Sequence, residues 1–323
     1  MVLTVTINPL LEKRFYFNSI IAGAVNRSSR LEYKSGGKGI NVSRQLNLLG
    51  INNLAILPLG GNSGKILRSV LTAEQINHTV ISQKNETREA LITVEKSNRK
   101  ITSFFPPNAV LSKSEIDEFI NRLEKMILNS SIVVFSGSAP NEEAAEIFIK
   151  GIQFANQYDK ISVLDTYGKH LSECIDENPT VLHNNIKETE SSLGISLQSP
   201  SEKSTYLNLV YKKGVRLAFL TDGKNPVYAS QYDYIHEITF PAVNEVDATG
   251  SGDAFTAGII YGLENGVVFD DFVKTAVALG ALNASSMDVC NVPLSSIEEY
   301  VSAINIKPVG KKMKSIDDSA TFH

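Results

Sequence analysis

The sequence predicts an α/β fold built on a doubly wound, mostly parallel sheet with helices on both faces. Short apolar stretches of strand length alternate along the 323 residues with longer segments of helical periodicity. This alternation is typical of βαβ units, in which a helix crosses one face of the sheet between two parallel strands. The predicted strands are residues 2–7, 54–59, 131–135, 161–164, 181–182 and 217–220, and the clearest helices are residues 117–128 and 143–154.

Polar and glycine-containing motifs directly follow several of these predicted strands. They are Ser136-Gly137, Asp165-Thr166, Asn185 and Thr221-Asp222-Gly223. Ligands of open α/β sheets bind outside the carboxyl ends of the strands. We therefore expect these motifs to line one binding cleft.

Two segments interrupt the alternation and predict a small second sheet. Residues 12–34 and 88–105 lack a helical period and place aromatic and aliphatic residues at strand spacing. We interpret them as a β-sheet lid over the substrate. The α/β core then consists of residues 1–11, 35–87 and 106–306.

Composition and charge exclude several classes of protein. A formal net charge of -4 and a pI near 5.8 argue against nucleic acid as the main partner. No apolar run approaches membrane length and no secretory signal opens the chain, so no membrane association is expected. Only Cys174 and Cys290 are present, which favours a reducing cytoplasm. Residues 307–323, with lysines and small polar residues, are predicted to form a flexible tail.

The most informative stretch is the glycine-rich segment that leads into Asp253. Gly250, Ser251 and Gly252 precede the carboxylate, and an apolar helical pattern follows it. A turn of this kind at a helix N-terminus presents unpaired backbone N–H groups to an anion. A carboxylate placed there predicts a general base, which takes a proton from an alcohol while the N–H groups hold a transferring phosphoryl group. The alternative is an aspartate that only caps the helix.

A second glycine-rich loop, residues 35–41, also leads into an apolar helical pattern and contains Lys38. Two such loops in one chain imply two anionic groups to hold. The loop has neither the spacing of a P-loop nor that of a dinucleotide-binding fingerprint. This loop is therefore not predicted to bind a nucleotide in the manner of a P-loop or of a dinucleotide-binding fold.

Further short motifs occur in a fixed order along the chain. They are Asn8-Pro9 with Glu12, Ala24-Val25-Asn26-Arg27, Gly36-Gly37-Lys38-Gly39-Ile40-Asn41, Ser136-Gly137-Ser138-Ala139-Pro140, Asp165-Thr166-Tyr167-Gly168 and Asn185-Ile186-Lys187-Glu188. Together with the Asp253 segment they resemble the ribokinase-like sugar kinases of the PfkB family, in its 1-phosphofructokinase and tagatose-6-phosphate kinase branch. The resemblance runs from Met1 to about Pro293.

The resemblance implies a ribokinase-like fold and transfer of the γ-phosphoryl group of ATP to a sugar phosphate, with Mg²⁺. It implies that Asp253 is the base and that Gly250, Ser251 and Gly252 form the anion hole. The implied substrate contacts are Glu12, Arg27, Gly37, Lys38, Asn41, Arg88 and Ser138. The implied nucleotide contacts are Asn185, Thr221, Gly223, Gly252 and Asn283, and Glu188 is implied to order Mg²⁺ through water.

The chain departs from the family pattern at two notable positions. Glu12 stands where the branch usually has Asp, and His183 stands where the family usually has the lysine of a Lys-Pro-Asn motif. The longer Glu12 changes the reach of a sugar contact, and loss of the lysine is expected to weaken nucleotide binding. His183 itself is predicted to be a partly buried, hydrogen-bonded histidine, because the five histidines lack metal-ligand spacing.

The resemblance favours fructose 1-phosphate as the acceptor, which would yield fructose 1,6-bisphosphate. Tagatose 6-phosphate is the alternative acceptor. A third interpretation is a non-catalytic ligand sensor with weakened ATP binding, which the departures at Glu12 and His183 motivate. Asp253 with its two glycines argues against a sensor, because a sensor needs no base. The family also implies that two lids pair in a homodimer, which would cover an exposed apolar face.

Overall fold

The strands belong to two separate sheets in the computed structural model, which describes residues 1–98 and 100–310. The strands are β1 (Val2–Val5), β2 (Leu10–Phe17), β3 (Arg30–Gly36), β4 (Asn53–Leu59), β5 (His78–Ser82), β6 (Glu89–Glu95), β7 (Lys100–Phe104), β8 (Ile132–Ser136), β9 (Ile161–Asp165), β10 (Val181–Asn185), β11 (Leu217–Asp222), β12 (Asn225–Gln231), β13 (Tyr234–Thr239) and β14 (Asn305–Val309). The larger sheet has the order β14-β13-β12-β11-β10-β9-β8-β1-β4-β5. From β5 to β11 all neighbours pair in parallel, and β12 to β14 add an antiparallel edge.

Helices cover both faces of the larger sheet, which confirms the predicted fold class. They are α1 (Lys38–Leu48), α2 (Gly61–Ala73), α3 (Lys113–Leu128), α4 (Glu146–Gln157), α5 (Leu171–Asp176), α6 (Ile186–Leu193), α7 (Pro200–Lys212), α8 (Ser251–Glu264), α9 (Phe269–Ala284) and α10 (Glu298–Ser302). The burial of β8 on both faces explains why its sequence is one apolar run. Val133 and Phe135 pack on the face that α3 and α4 cover, while Ile132 and Val134 pack on the face of α1, α8 and α9.

The strands and helices predicted for the larger sheet are present, but several begin or end at other residues than predicted. Helix α3 begins at Lys113 rather than at residue 117, because the Glu115 carboxylate accepts a hydrogen bond from the Ser112 backbone N–H and caps the first turn. A short 3₁₀ turn, Glu143–Ala145, precedes α4. Strand β10 continues to Asn185, three residues beyond its apolar pair, because its polar end pairs with β11.

The two segments that interrupt the alternation form the smaller sheet, in the order β3-β2-β6-β7. β2 pairs in parallel with β6, and β3 and β7 pair antiparallel at the two edges. At the base of the β2–β3 hairpin, Leu10 pairs with Gly36. The hairpin therefore starts next to the glycine-rich loop that leads into α1.

The flexible tail predicted for residues 307–323 is wrong at its start. Strand β14 pairs antiparallel with β13 and sets Lys307 opposite Glu237. Ile306 and Val309 pack against the two core clusters on opposite faces of the sheet, which explains why this lysine-containing segment is ordered as a strand. Residues 311–323 lie outside the described residues.

Within residues 1–98 and 100–310, no helix is both long enough and apolar enough to cross a membrane.

Candidate active site

Asp253 lies in the first turn of α8, at the carboxyl side of the parallel strands. Its side chain is buried, and its Oδ2 atom accepts a hydrogen bond of 2.7 Å from the Asn41 Nδ2 of α1. Gly250 precedes the helix in the left-handed conformation, with φ 79° and ψ 0°. A Cβ atom on Gly250 would lie 2.3 Å from the Val289 Cγ1 atom, so this position requires glycine on two separate grounds.

Lys38 joins three elements beside this turn. Its Nζ atom lies 3.1 Å from Asp165 Oδ1 at the end of β9 and 3.2 Å from Glu188 Oε2 in the first turn of α6. Burial alone lowers the pKa of Lys38, but the carboxylates of Asp165, Glu188 and Asp253 outweigh burial and raise it. The ammonium group therefore stays charged in the cleft.

The pKa values of the two aspartates beside Lys38 are shifted in opposite directions. Burial alone raises the pKa of Asp165, but Lys38 and His183 outweigh it and hold that pKa well below its usual range. For Asp253, burial is the largest effect, and it raises the pKa to about 7 against the opposing charge of Lys38. A carboxyl group with a pKa close to neutral is suited to accept and return a proton.

His183 lies directly behind the turn formed by Gly250, Ser251 and Gly252. It is hydrogen-bonded, as the sequence predicts, but it is almost completely buried rather than partly buried. Its ring nitrogens lie 3.1 Å from Thr221 Oγ1 and 3.1 Å from Thr256 Oγ1. A Cβ atom on Gly252 would lie 3.2 Å from the His183 Cε1 atom. The imidazole ring therefore connects the end of β11 with α8 at the back of the turn.

Arg88 and Ser138 lie together next to Gly137, which packs against the Lys38 side chain. The Arg88 guanidinium donates to the carbonyl oxygen of Asn8 at 3.0 Å and to Asn108 Oδ1 at 3.1 Å, and Asn8 Nδ2 donates to Ser138 Oγ at 3.0 Å. Within residues 1–98 and 100–310, no carboxylate pairs with this guanidinium. Burial lowers its pKa, yet arginine remains protonated in proteins. The cleft thus contains a half-buried cation whose charge is not neutralised.

Glu12 forms an ion pair that the sequence analysis missed. Arg14 Nε and Nη2 lie 2.9 Å and 2.8 Å from Glu12 Oε2, and both side chains are nearly buried. Residues 12 and 14 are two apart on β2, so they share one face of the strand. That spacing was the sequence signal that Glu12 and Arg14 are neighbours. Only the pairing of β2 with β3 and β6 decides that their face of the strand is the one turned toward Asn41.

The predicted nucleotide contacts lie along the ends of neighbouring strands. Asn185 caps α6 by accepting a hydrogen bond from the Lys187 backbone N–H, Thr221 is the last but one residue of β11, and Gly223 occupies the following turn with φ 54°. Asn283 differs from these, because its side chain is buried and bonded to Thr249, Ser251 and Cys290. Its amide group supports the turn before α8 from behind.

Arg27 is the predicted site residue that the structure does not bring to the cleft of its own chain. It is exposed in the loop between β2 and β3, beyond the pair formed by Tyr16 and Arg30. The opposite end of this hairpin, at Gly36, adjoins the cleft. At about 3.3 Å per residue, six residues of strand separate the two ends by roughly 20 Å.

The site thus brings the buried Asp253 carboxylate and the N-terminus of α8 close to the charged Lys38. The model of the pfkB family of carbohydrate kinases matches residues 11–296. The chain belongs to this family. It is therefore a carbohydrate kinase, a phosphotransferase with an alcohol group as acceptor, and its family implies ATP as the phosphoryl donor.

Solved structures of phosphofructokinases share the architecture of this pfkB family kinase. The tetrameric inhibited form of phosphofructokinase-2 from Escherichia coli has a TM-score of 0.83 at 24% identity, covering 93% of this chain and 99% of that chain. The same enzyme in complex with fructose-6-phosphate has a TM-score of 0.82 at 23% identity, covering 93% and 99%. A protein described as a possible 1-phosphofructokinase from Thermotoga maritima has a TM-score of 0.85 at 23% identity, covering 96% and 99%. At these identities the likeness shows the shared ribokinase-like fold.

Proposed function

We propose that this kinase phosphorylates a ketohexose phosphate, and that fructose 1-phosphate, converted to fructose 1,6-bisphosphate, is its substrate. Tagatose 6-phosphate is the alternative acceptor. The observation that carries the proposal is Arg88, a half-buried guanidinium with neutral partners beside Ser138. A buried cation of this kind is stabilised by an anionic ligand, and a guanidinium matches a phosphate group well. Solved structures of the same fold include a phosphofructokinase in complex with fructose-6-phosphate.

In the proposed reaction, Asp253 removes the proton of the acceptor hydroxyl as that oxygen attacks the γ-phosphorus atom of ATP. The bond between the γ-phosphorus and the bridging oxygen breaks, and ADP leaves with that oxygen. Backbone N–H groups at the start of α8, following Gly250, hold the charge of the transferring group. Asn41 keeps the Asp253 carboxylate in position through its 2.7 Å hydrogen bond.

Glu188 is the proposed residue for Mg²⁺, through water. Its Oε2 atom contacts Lys38 while its side chain is 31% exposed, so it can also accept from metal-bound water. The described residues contain no cluster of three or more acidic, histidine or cysteine ligands. One carboxylate with water and nucleotide phosphates fits Mg²⁺, which keeps much of its hydration. When bound with ATP, Mg²⁺ neutralises charge on the phosphates.

A coupled assay of ADP release tests the proposal. It should compare fructose 1-phosphate, tagatose 6-phosphate, fructose 6-phosphate and unphosphorylated fructose. We expect the highest kcat/KM for fructose 1-phosphate and very low activity with fructose, because fructose leaves Arg88 without an anion. Preference for fructose would contradict the proposal. Binding of the sugar phosphates without any turnover would instead favour the ligand sensor.

The rate should fall as the pH drops below about 7. Burial raises the pKa of Asp253 to about 7, and only the ionised carboxylate can accept a proton. Acidification therefore removes the base at a pH where an ordinary aspartate is still ionised. With both substrates saturating, we expect kcat to fall about tenfold per pH unit on the acid side. Thermal unfolding at each pH separates this loss from unfolding, and a kcat that stays constant down to about pH 5 would contradict the role of Asp253.

We also propose a homodimer formed through the smaller sheet. The strand register places four exposed apolar side chains on one face of that sheet, Leu31, Tyr33, Leu91 and Phe104. An apolar face of this kind is typical of an interface between protein chains. Sedimentation velocity should show a dimer that Leu31→Glu converts to monomer. Leu209→Glu, at an exposed leucine of α7, is the control and should remain dimeric. A monomeric wild-type protein would contradict the proposal.

The predicted role of Arg27 depends on that dimer. Because this side chain is far from the cleft of its own chain, it can contact a sugar phosphate only in the site of a partner.

We expect the enzyme to be located in a reducing cytoplasm, since Cys174 and Cys290 are both buried and unpaired.

A further inference from the structure

The ion pair between Glu12 and Arg14 has bonding groups that the protein leaves unused. Arg14 directs Nε and Nη2 to Glu12 Oε2, and in the part of the chain that the structure describes its Nη1 has no hydrogen-bond acceptor. The whole Arg14 residue is only 9% exposed. Solvent reaches Nη1 from the cleft that Arg14 lines. The unused Nη1 can therefore donate to an acceptor from outside the chain.

The Glu12 carboxylate is arranged in the same way. Its Oε2 atom accepts from Arg14, while no described residue donates to Oε1. A Cβ atom on Gly36 would lie 2.8 Å from Oε1, so this oxygen is directed at the glycine-rich loop that leads into α1. The pair thus offers one free acceptor and one free donor side by side.

Both groups line a cleft that reaches the active site. Its volume is about 530 Å³, and its wall includes Asn41, which holds Asp253. A cleft of this size accommodates a small organic ligand. Stability gives little reason for the pair, because removing two charges from water offsets most of their attraction.

We propose that Arg14 is a specificity-determining residue which, together with Glu12, reads the hydroxyl groups of the acceptor sugar. Glu12 Oε1 accepts a hydrogen bond from one hydroxyl group, and Arg14 Nη1 donates to the oxygen of a neighbouring one. Arg14 also fixes the longer carboxylate that replaces the usual Asp. This inference rests on the proposed function, since it requires a ketohexose phosphate as substrate.

The test compares two substrates that differ only in the configuration of one hydroxyl group. Fructose 1-phosphate, the proposed substrate, and tagatose 1-phosphate are epimers at C4, and kcat/KM is measured for each with wild type, Arg14→Met, Arg14→Lys and Glu12→Gln. We expect wild type to discriminate between the epimers and Arg14→Met to lose about 10-fold or more with the better one, mainly through KM. The ratio should move toward one while KM for ATP stays constant. Arg14→Lys should not restore the ratio, because an ammonium group lacks the planar fork.

Lys13→Met is the matched control. Lys13 is the neighbouring cation on β2, and its Nζ pairs with Glu89 on the opposite face of the strand. Its replacement should leave the ratio of the epimers unchanged. The double variant Glu12→Gln with Arg14→Met should lose little more discrimination than either single variant, because the two side chains act as one unit.

Two results separate failure of this inference from failure of the proposed function. If wild type phosphorylates ketohexose phosphates but its epimer ratio is near one, or survives Arg14→Met, the inference is wrong and the proposed function stands. If wild type phosphorylates none of them, both are overturned. Thermal unfolding is measured on every variant, and if Arg14→Met is unfolded, Arg14→Lys and Glu12→Gln decide the outcome by the same ratio.

Discussion

Replacing Asp253 by asparagine should lower kcat by at least about 10²-fold while the affinities for ATP and sugar phosphate change little. The amide has the shape of the carboxyl group and can still bond to Asn41, so the fold should be retained. What the variant lacks is a group that accepts the proton of the attacking hydroxyl. Steady-state kinetics with both substrates varied in turn provide the measurement.

Asp271→Asn is the control for this substitution. Asp271 is also a carboxylate in the first turn of a helix, in α9, and it is exposed. Its replacement should leave kcat unchanged, because the only expected loss is a small interaction with the helix dipole. If Asp253→Asn retained a kcat close to wild type, Asp253 would be a helix cap and the assignment of the base would fail.

Replacing Arg88 by alanine should raise KM for the sugar phosphate and leave KM for ATP nearly constant. Hydrogen bonds to charged groups contribute about 1.5–3 kcal/mol, which corresponds to roughly a 10- to 100-fold change in KM. The change in KM for Arg88→Ala should be at the upper end of this range, because no described carboxylate neutralises the Arg88 guanidinium. Initial rates at saturating ATP over a range of sugar phosphate concentrations give the value directly.

Arg122→Ala controls for the loss of an arginine as such. Arg122 donates to the backbone carbonyl of Val80, as Arg88 does to that of Asn8, but it lies on α3 and outside the cleft. It should leave both KM values unchanged. An Arg88→Ala effect of equal size on ATP and on sugar phosphate would show that Arg88 does not bind the acceptor.

The main sheet and the glycine turn before Asp253 could be predicted because their signals are local. Residues such as Val133 and Val134 are apolar on both faces of a buried parallel strand, so the strand is visible as a continuous run. Gly250 adopts its left-handed conformation within the chain segment that predicts it. The order of the motifs also identified the family, which the match over residues 11–296 confirms.

The sequence did not distinguish the roles of its arginines. Arg27 and Arg88 both follow polar motifs in lid segments, yet Arg27 is exposed at a hairpin tip and Arg88 lies in the cleft. Arg14 is not part of any of the sequence motifs that identified the family. The strand register of β2 decides its position, because it sets which residues face Asn41 and which face solvent.

By itself, the sequence determined the fold class, the family and the acidic residue that follows the glycine turn at the start of α8. Tertiary structure alone decided the chemistry of that residue. Asn41 and Asp253 are 212 positions apart and Lys38 and Asp165 are 127 apart, so their contacts exist only in the folded chain. The raised pKa of Asp253 has the same origin, because burial and neighbouring charges depend on which elements meet and not on the residues beside it in sequence.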